Sequence, residues 1–109
     1  MSLDVSAIAG QMLAAAKGVV GEKWPATQTY FDSETKIFAQ RLASIAELRA
    51  SGSISEERAK SHLQFQKEAW DTVLLAVEGL NQLMVEEVLK AALDAVRAIV
   101  NKAIGFALI

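Results

Sequence analysis

Apolar residues along this chain recur three or four positions apart, and no segment sustains an alternation of period two, so the pattern predicts an all-α fold. Glycine and proline divide the pattern into elements. Gly18 and Gly21 are expected to end a first helix over about residues 4–20, because glycine is favoured just past a helix C-terminus. Pro25 suits the first turn of a second helix over about 25–50, where a missing N–H costs nothing. That helix carries Phe31, Phe38, Leu42 and Ile45 on one ridge and Tyr30, Ile37 and Leu48 on an adjacent one, an amphipathic stripe with one face for a core. The stretch "ASGSISEE" closes it. Gly52 supplies the turn, Ser53 or Ser55 can accept from free N–H groups, and Glu56 and Glu57 complement the dipole of the next helix. A capping box from Ser53 to Glu56 is the sharpest local signal in the chain.

From residue 56 to about 105 the helical pattern continues for roughly 75 Å at 1.5 Å per residue, too long for one straight helix of so small a protein. Its polar arc gives a test. Glu57, Lys60, Gln64, Lys67, Glu68 and Asp71 define the arc in the first half, and Glu86, Glu87, Lys90, Asp94, Arg97 and Asn101 define it in the second. In one continuous helical frame the second arc is rotated by roughly +100°, opposite in sign to the drift of a left-handed supercoil. A break at "EGLNQ", residues 78–82, is therefore expected. The expectation is an antiparallel bundle of three to four helices at about 4–20, 25–50, 55–79 and 82–104, in a single domain over 1–109, the last two helices alternatively forming one long kinked helix.

Composition narrows the function classes. The 109 residues carry 11 basic and 13 acidic side chains, well interspersed, for a net charge of −2. No block of one sign exists to attract a phosphate backbone, so nucleic-acid binding is not expected. Cysteine is absent, which removes disulfides, thiolate metal sites and thiol catalysis. Nineteen alanines and a single proline reinforce the helical reading. The apolar N-terminal run carries Asp4 and no basic cluster before it, so a signal peptide is not expected. No charge-free stretch approaches the roughly 18 residues that span a bilayer, and a cytoplasmic location is the default expectation.

Candidate chemistry is sparse. His62, the only histidine, falls with Arg58 and Gln66 among positions that otherwise carry Ala69, Val73 and Trp70, which reads either as a polar notch in an apolar face or as a face running out into solvent. A carboxylate-bridged di-metal bundle needs Glu-x-x-His on two helices; the residue three before His62 is Ala59. Neither a phosphate loop nor zinc spacing nor a nucleophile elbow occurs, and the carboxylates fall on solvated faces with charge partners four residues away, so no enzyme, cofactor or metal is expected. Glu34 and Arg41, two turns apart between the ridges of the second helix, read as a charged pair or as long side chains reaching to solvent at the edge of the face. Trp24 and Trp70 read as core or helix-entry residues. Gly10, Ala14 and Gly18, four apart, form a strip of small residues suited to tight helix packing.

The segment "IAELRASGSISEERAKSHLQ", residues 45–64, resembles the short helical-hairpin motif known as SHOCT, through Glu47, Leu48, Arg49, Gly52, Ile54, Ser55, Glu56 and Glu57. The resemblance implies an interaction element. Every matching residue is also good capping chemistry, and the segment is read as a helical turn without family membership.

The last predicted helix weighs most on function. Its polar arc covers roughly 100° of the circumference, leaving an apolar remainder about twice the stripe of an ordinary surface helix. Burying a Val, Leu or Ile side chain is worth roughly 1.5 to 3 kcal/mol, so these residues need cover. Val85, Val88, Leu89, Val96, Ile99, Val100 and Ile104, continued past Gly105 by Phe106, Leu108 and Ile109, are the expected interface. The expected function is a non-catalytic protein-protein interaction or scaffold module, a homo-oligomer with a dimer first, or one half of a complex with another protein. The alternatives are a peripheral membrane-surface protein using the apolar C-terminal helix, and a small-molecule-binding bundle built around His62 and Gln66.

Overall fold

A computed structural model describes residues 3–77 and 79–109. The chain is all-α, with helices α1 (Val5–Val20), α2 (Trp24–Ala50), α3 (Glu56–Leu75) and α4 (Gln82–Ile104), and no strand among the described residues. One 3₁₀ turn, Gly21–Lys23, joins α1 to α2. An unbroken helix over residues 5–50 would be about 69 Å long, yet the longest dimension of the molecule is 42 Å. The chain therefore reverses at Gly21. Its φ of +61° lies in the region open to glycine and costly to other L-residues.

Three of the four helices start on a side chain that accepts from a free N–H group; α2 has no such cap and carries Pro25 in its first turn. Asp4 accepts from the Ala7 N–H at 3.1 Å, Ser55 from Arg58 at 3.1 Å, and Asn81 from Met84 at 2.9 Å. The α3 cap is thus Ser55, two residues later than the expected box from Ser53. The reason lies in the preceding turn: Gly52 N–H bonds to Arg49 C=O and Ser53 N–H to Leu48 C=O, the paired bonds of a Schellman ending, so Ser53 still belongs to the end of α2. The break expected at 78–82 is present. Helix α3 ends at Leu75 and α4 begins at Gln82 as a separate helix, while Glu78 lies outside the described residues.

The four helices run up, down, up and down. Lys23 Nζ donates to the Gly79 carbonyl at 2.6 Å, tying the α1–α2 and α3–α4 junctions together at one end of the bundle. The most extensive packing is between α1 and α4, and the least between neighbouring helices is that of α3 on α4. Helix α4 also meets α2 across the bundle, so all three other helices touch it. Ile8, Met12, Ala16 and Val20 of α1, four apart, face this core; Phe31, Phe38 and Leu42 come from α2, Leu63 and Leu74 from α3, and Val85, Val88, Val96 and Val100 from α4. Trp24 stacks on Phe31, ring centroids 5.3 Å apart, and Trp70 meets Phe38 at 4.9 Å, so both tryptophans are core residues as expected.

Past α4 the chain folds back. Gly105, at φ +89°, ends the helix in the left-handed conformation and donates to the Asn101 carbonyl. Asn101 Oδ1 then accepts from the N–H groups of Leu108 (2.9 Å) and Ile109 (3.0 Å), and its Nδ2 donates to the Ile109 carbonyl at 3.3 Å. Leu108 is buried by this arrangement, and Lys60 Nζ lies 6.0 Å from the Phe106 ring centre. The greasy tail is seated on the chain's own core.

Candidate interaction face

The apolar surplus of α4 is covered within the chain. Val85, Val88, Val96 and Val100 have no exposed surface, and Leu108 is buried. Leu89, Ile104, Phe106 and Ile109 are half-buried and packed against the core. Of the residues expected to form an interface, Ile99 alone is exposed. Three helices and the tail cover this face within the chain, a circumstance that the pattern of α4 in isolation does not reveal. The strip of Gly10, Ala14 and Gly18 lies on the outer side of α1. All three are exposed, and a Cβ added at either glycine would meet nothing within 4 Å. Helix α1 packs instead through its larger residues, whose burial is worth more.

What remains uncovered lies on the other side. Tyr30, Ile37 and Leu48 of α2 and Phe65 and Val73 of α3 are exposed, Phe65 to 66 % and Tyr30 to 55 %. On a helical wheel Tyr30, Glu34, Ile37, Arg41 and Leu48 fall in one sector of α2, and His62, Phe65, Gln66, Ala69 and Val73 in one sector of α3. These sectors adjoin. A shallow groove of about 70 Å³ runs between them, with Glu34, Ile37, Gln66, Ala69 and Val73 along it and the Phe38 and Trp70 rings beneath. The indole N–H of Trp70 is buried there without a hydrogen-bond partner. The other exposed large apolar residues, Leu75, Leu83 and Ile99, are scattered singly, which is ordinary for a monomer surface.

Three charged residues fall on this face: Glu34 and Arg41 on α2, and the exposed Arg58 near the start of α3. Glu34 is half-buried and Arg41 exposed, and neither takes part in an ion pair among the described residues, where the pairs are Arg49 with Glu56 and Arg97 with Asp94. His62 is exposed, and only Gln66 of the expected polar notch lines the groove. No cluster of three or more metal-ligating side chains occurs among the described residues. A second, wider groove of about 510 Å³ opens where α3 and α4 pack least, with leucines 63, 89, 93 and 108 along it and charges of both signs at its rim. Among the described residues no helix is long and apolar enough to cross a membrane.

Sequence reasoning found the Tyr30, Ile37, Leu48 ridge and the apolar setting of His62 and Gln66, and did not join them into one surface. It missed Phe65. The signal for it is the spacing of Phe65, Ala69 and Val73, four apart and beside the buried row of Ala59, Leu63, Trp70 and Leu74. Comparison with family models, curated proteins and solved structures returns no match.

Proposed function

We propose that this protein is a non-catalytic helical interaction or scaffold module that works by presenting the α2–α3 face to another protein surface, a second copy of itself first. The observation that carries this reading is the run of exposed apolar residues from Tyr30 through Ile37 and Val73 to Phe65, on two helices that are otherwise well packed. A fully buried residue of this kind contributes roughly 1.5 to 3 kcal/mol, so covering these half-exposed side chains gives association a driving force of several kcal/mol. Tyr30 and Phe65, at the two ends of the patch, are of the aromatic type enriched at protein interfaces. The membrane-surface alternative relied on the apolar arc of α4, which is occupied in the core, and the polar residues expected to serve a bound small molecule do not converge on one cavity.

Light scattering on a size-exclusion column, run over a range of loading concentrations, tests the reading. The expected result is a mass above one chain that falls on dilution, and a shift to the single-chain mass on Ile37→Asp with helix content unchanged. A wild-type mass of one chain at every concentration contradicts the homo-oligomeric form of the reading.

A further inference from the structure

We propose that the α2–α3 face closes an antiparallel homodimer whose two-fold axis crosses the helices at the level of Ile37 and Ala69. The inference rests on the interaction-module reading above and specifies its surface and its register. Isologous dimers require a face that is complementary to itself when reversed. On α2, Glu34 and Arg41 stand three residues before and four after Ile37, in the same sector, and neither is ion-paired among the described residues. Reversing α2 about a point just past Ile37 sets Glu34 opposite the second copy's Arg41, and Arg41 opposite its Glu34. Two ion pairs form from one pair of residues.

The same axis organises α3. The Phe38 and Trp70 rings are 4.9 Å apart and Ile37 and Ala69 line the same groove, so Ile37 and Ala69 stand within about one turn of the same height on the two helices. Reversal about that height sets Phe65 against the second copy's Val73, one four residues before Ala69 and the other four after it. At the axis itself Ala69 presents only a methyl group, which allows the two α3 helices to approach closely. The most exposed apolar side chain of the face thereby gains an apolar neighbour, and the two charges on α2 gain opposite ones. A parallel arrangement, with the axis along the helices, instead sets α2 of one copy against α3 of the other. Glu34 and Arg41 then lie level with the second copy's Val73 and Phe65 and gain no charged partner. Charge complementarity selects the antiparallel form.

Charge reversal tests both the surface and the register, read by sedimentation equilibrium with helix content and melting temperature followed alongside. Each single change, Glu34→Arg or Arg41→Glu, replaces two attractive contacts by two repulsive ones and is expected to weaken the dimer at least about tenfold. The double change, E34R with R41E, restores opposite signs across the axis and is expected to return the dissociation constant to within about threefold of wild type. A dimer that ignores both single changes overturns this surface and leaves the homo-oligomeric reading standing. Disruption by both singles without rescue in the double overturns the antiparallel register. A wild-type protein that is a monomer throughout the concentration range overturns the dimer and the homo-oligomeric reading together; binding of Glu34 and Arg41 to a different protein is then the interaction left.

Discussion

The back-folded tail makes a quantitative prediction. Ordering residues 105–109 costs about 1 to 2 kcal/mol of backbone entropy per residue, or roughly 5 to 10 kcal/mol in all. Against this, burying Leu108 is worth about 2 kcal/mol and half-burying Phe106 and Ile109 about 1 each, while the three hydrogen bonds of Asn101 add about 3. The two sides agree to within a few kcal/mol, so the tail is held by a small net free energy. Losing either anchor releases it as a unit. Asn101→Ala and Leu108→Ala are each expected to lower unfolding stability by about 1 to 3 kcal/mol, and the double variant by little more than the larger single, because the second change acts on a tail already detached. Urea unfolding followed by circular dichroism at the helical band measures all four states of the cycle. Removal of residues 105–109 is expected to match the double variant in stability, keep the helix signal, and lower solubility by baring Leu63, Leu89 and Leu93 along α3 and α4. Single costs that add to within about 0.5 kcal/mol in the double would refute a cooperative clamp.

Two further expectations concern single sites. The Thr35 hydroxyl is buried among α1 and α2 side chains without a hydrogen-bond partner, so Thr35→Val, which keeps the shape and removes the stranded group, is expected to raise stability by about 1 kcal/mol; a loss of stability in thermal unfolding would show that the hydroxyl is paired in solution. Ser55 caps α3 and Ser53 does not, so Ser55→Ala is expected to cost about 1 kcal/mol and Ser53→Ala less than about 0.5. Equal costs in denaturant titrations would return the cap to the Ser53 box.

Helix positions were legible because they are local. Asp4, Pro25, Gly52 and Asn81 act within a turn of their own place in the chain, and the rotation of the polar arc located the α3–α4 break without any knowledge of packing. The cap at Ser55 shows the limit even of local reading: both Ser53 and Ser55 offer the right oxygen, and the Schellman bonds that end α2 decide between them. Surfaces are not local. Val88 and Val96 read as a face needing a partner because α4 taken alone is over-apolar, whereas in the bundle α1, α2 and α3 all reach it. Ile37 and Val73 read as separate stripes on separate helices, and only the antiparallel packing of α2 on α3 makes them neighbours across a groove. Whether a residue is core or interface depends on where the other helices lie, and periodicity within one helix carries no record of that.

The central claim, that the α2–α3 face is where this protein meets its own copy, is most directly tested by disulfide trapping at the axis. The chain has no cysteine, so a single one reports unambiguously. Ile37→Cys places the thiol beside the axis, while Leu83→Cys places one at a more accessible site on α4 away from it. Under mild oxidation at low micromolar concentration, Ile37→Cys is expected to convert to a covalent dimer much faster than Leu83→Cys, and E34R in the same chain is expected to abolish that advantage. Equal rates for the two cysteines, or a rate at residue 37 indifferent to the charge at residue 34, would contradict the account.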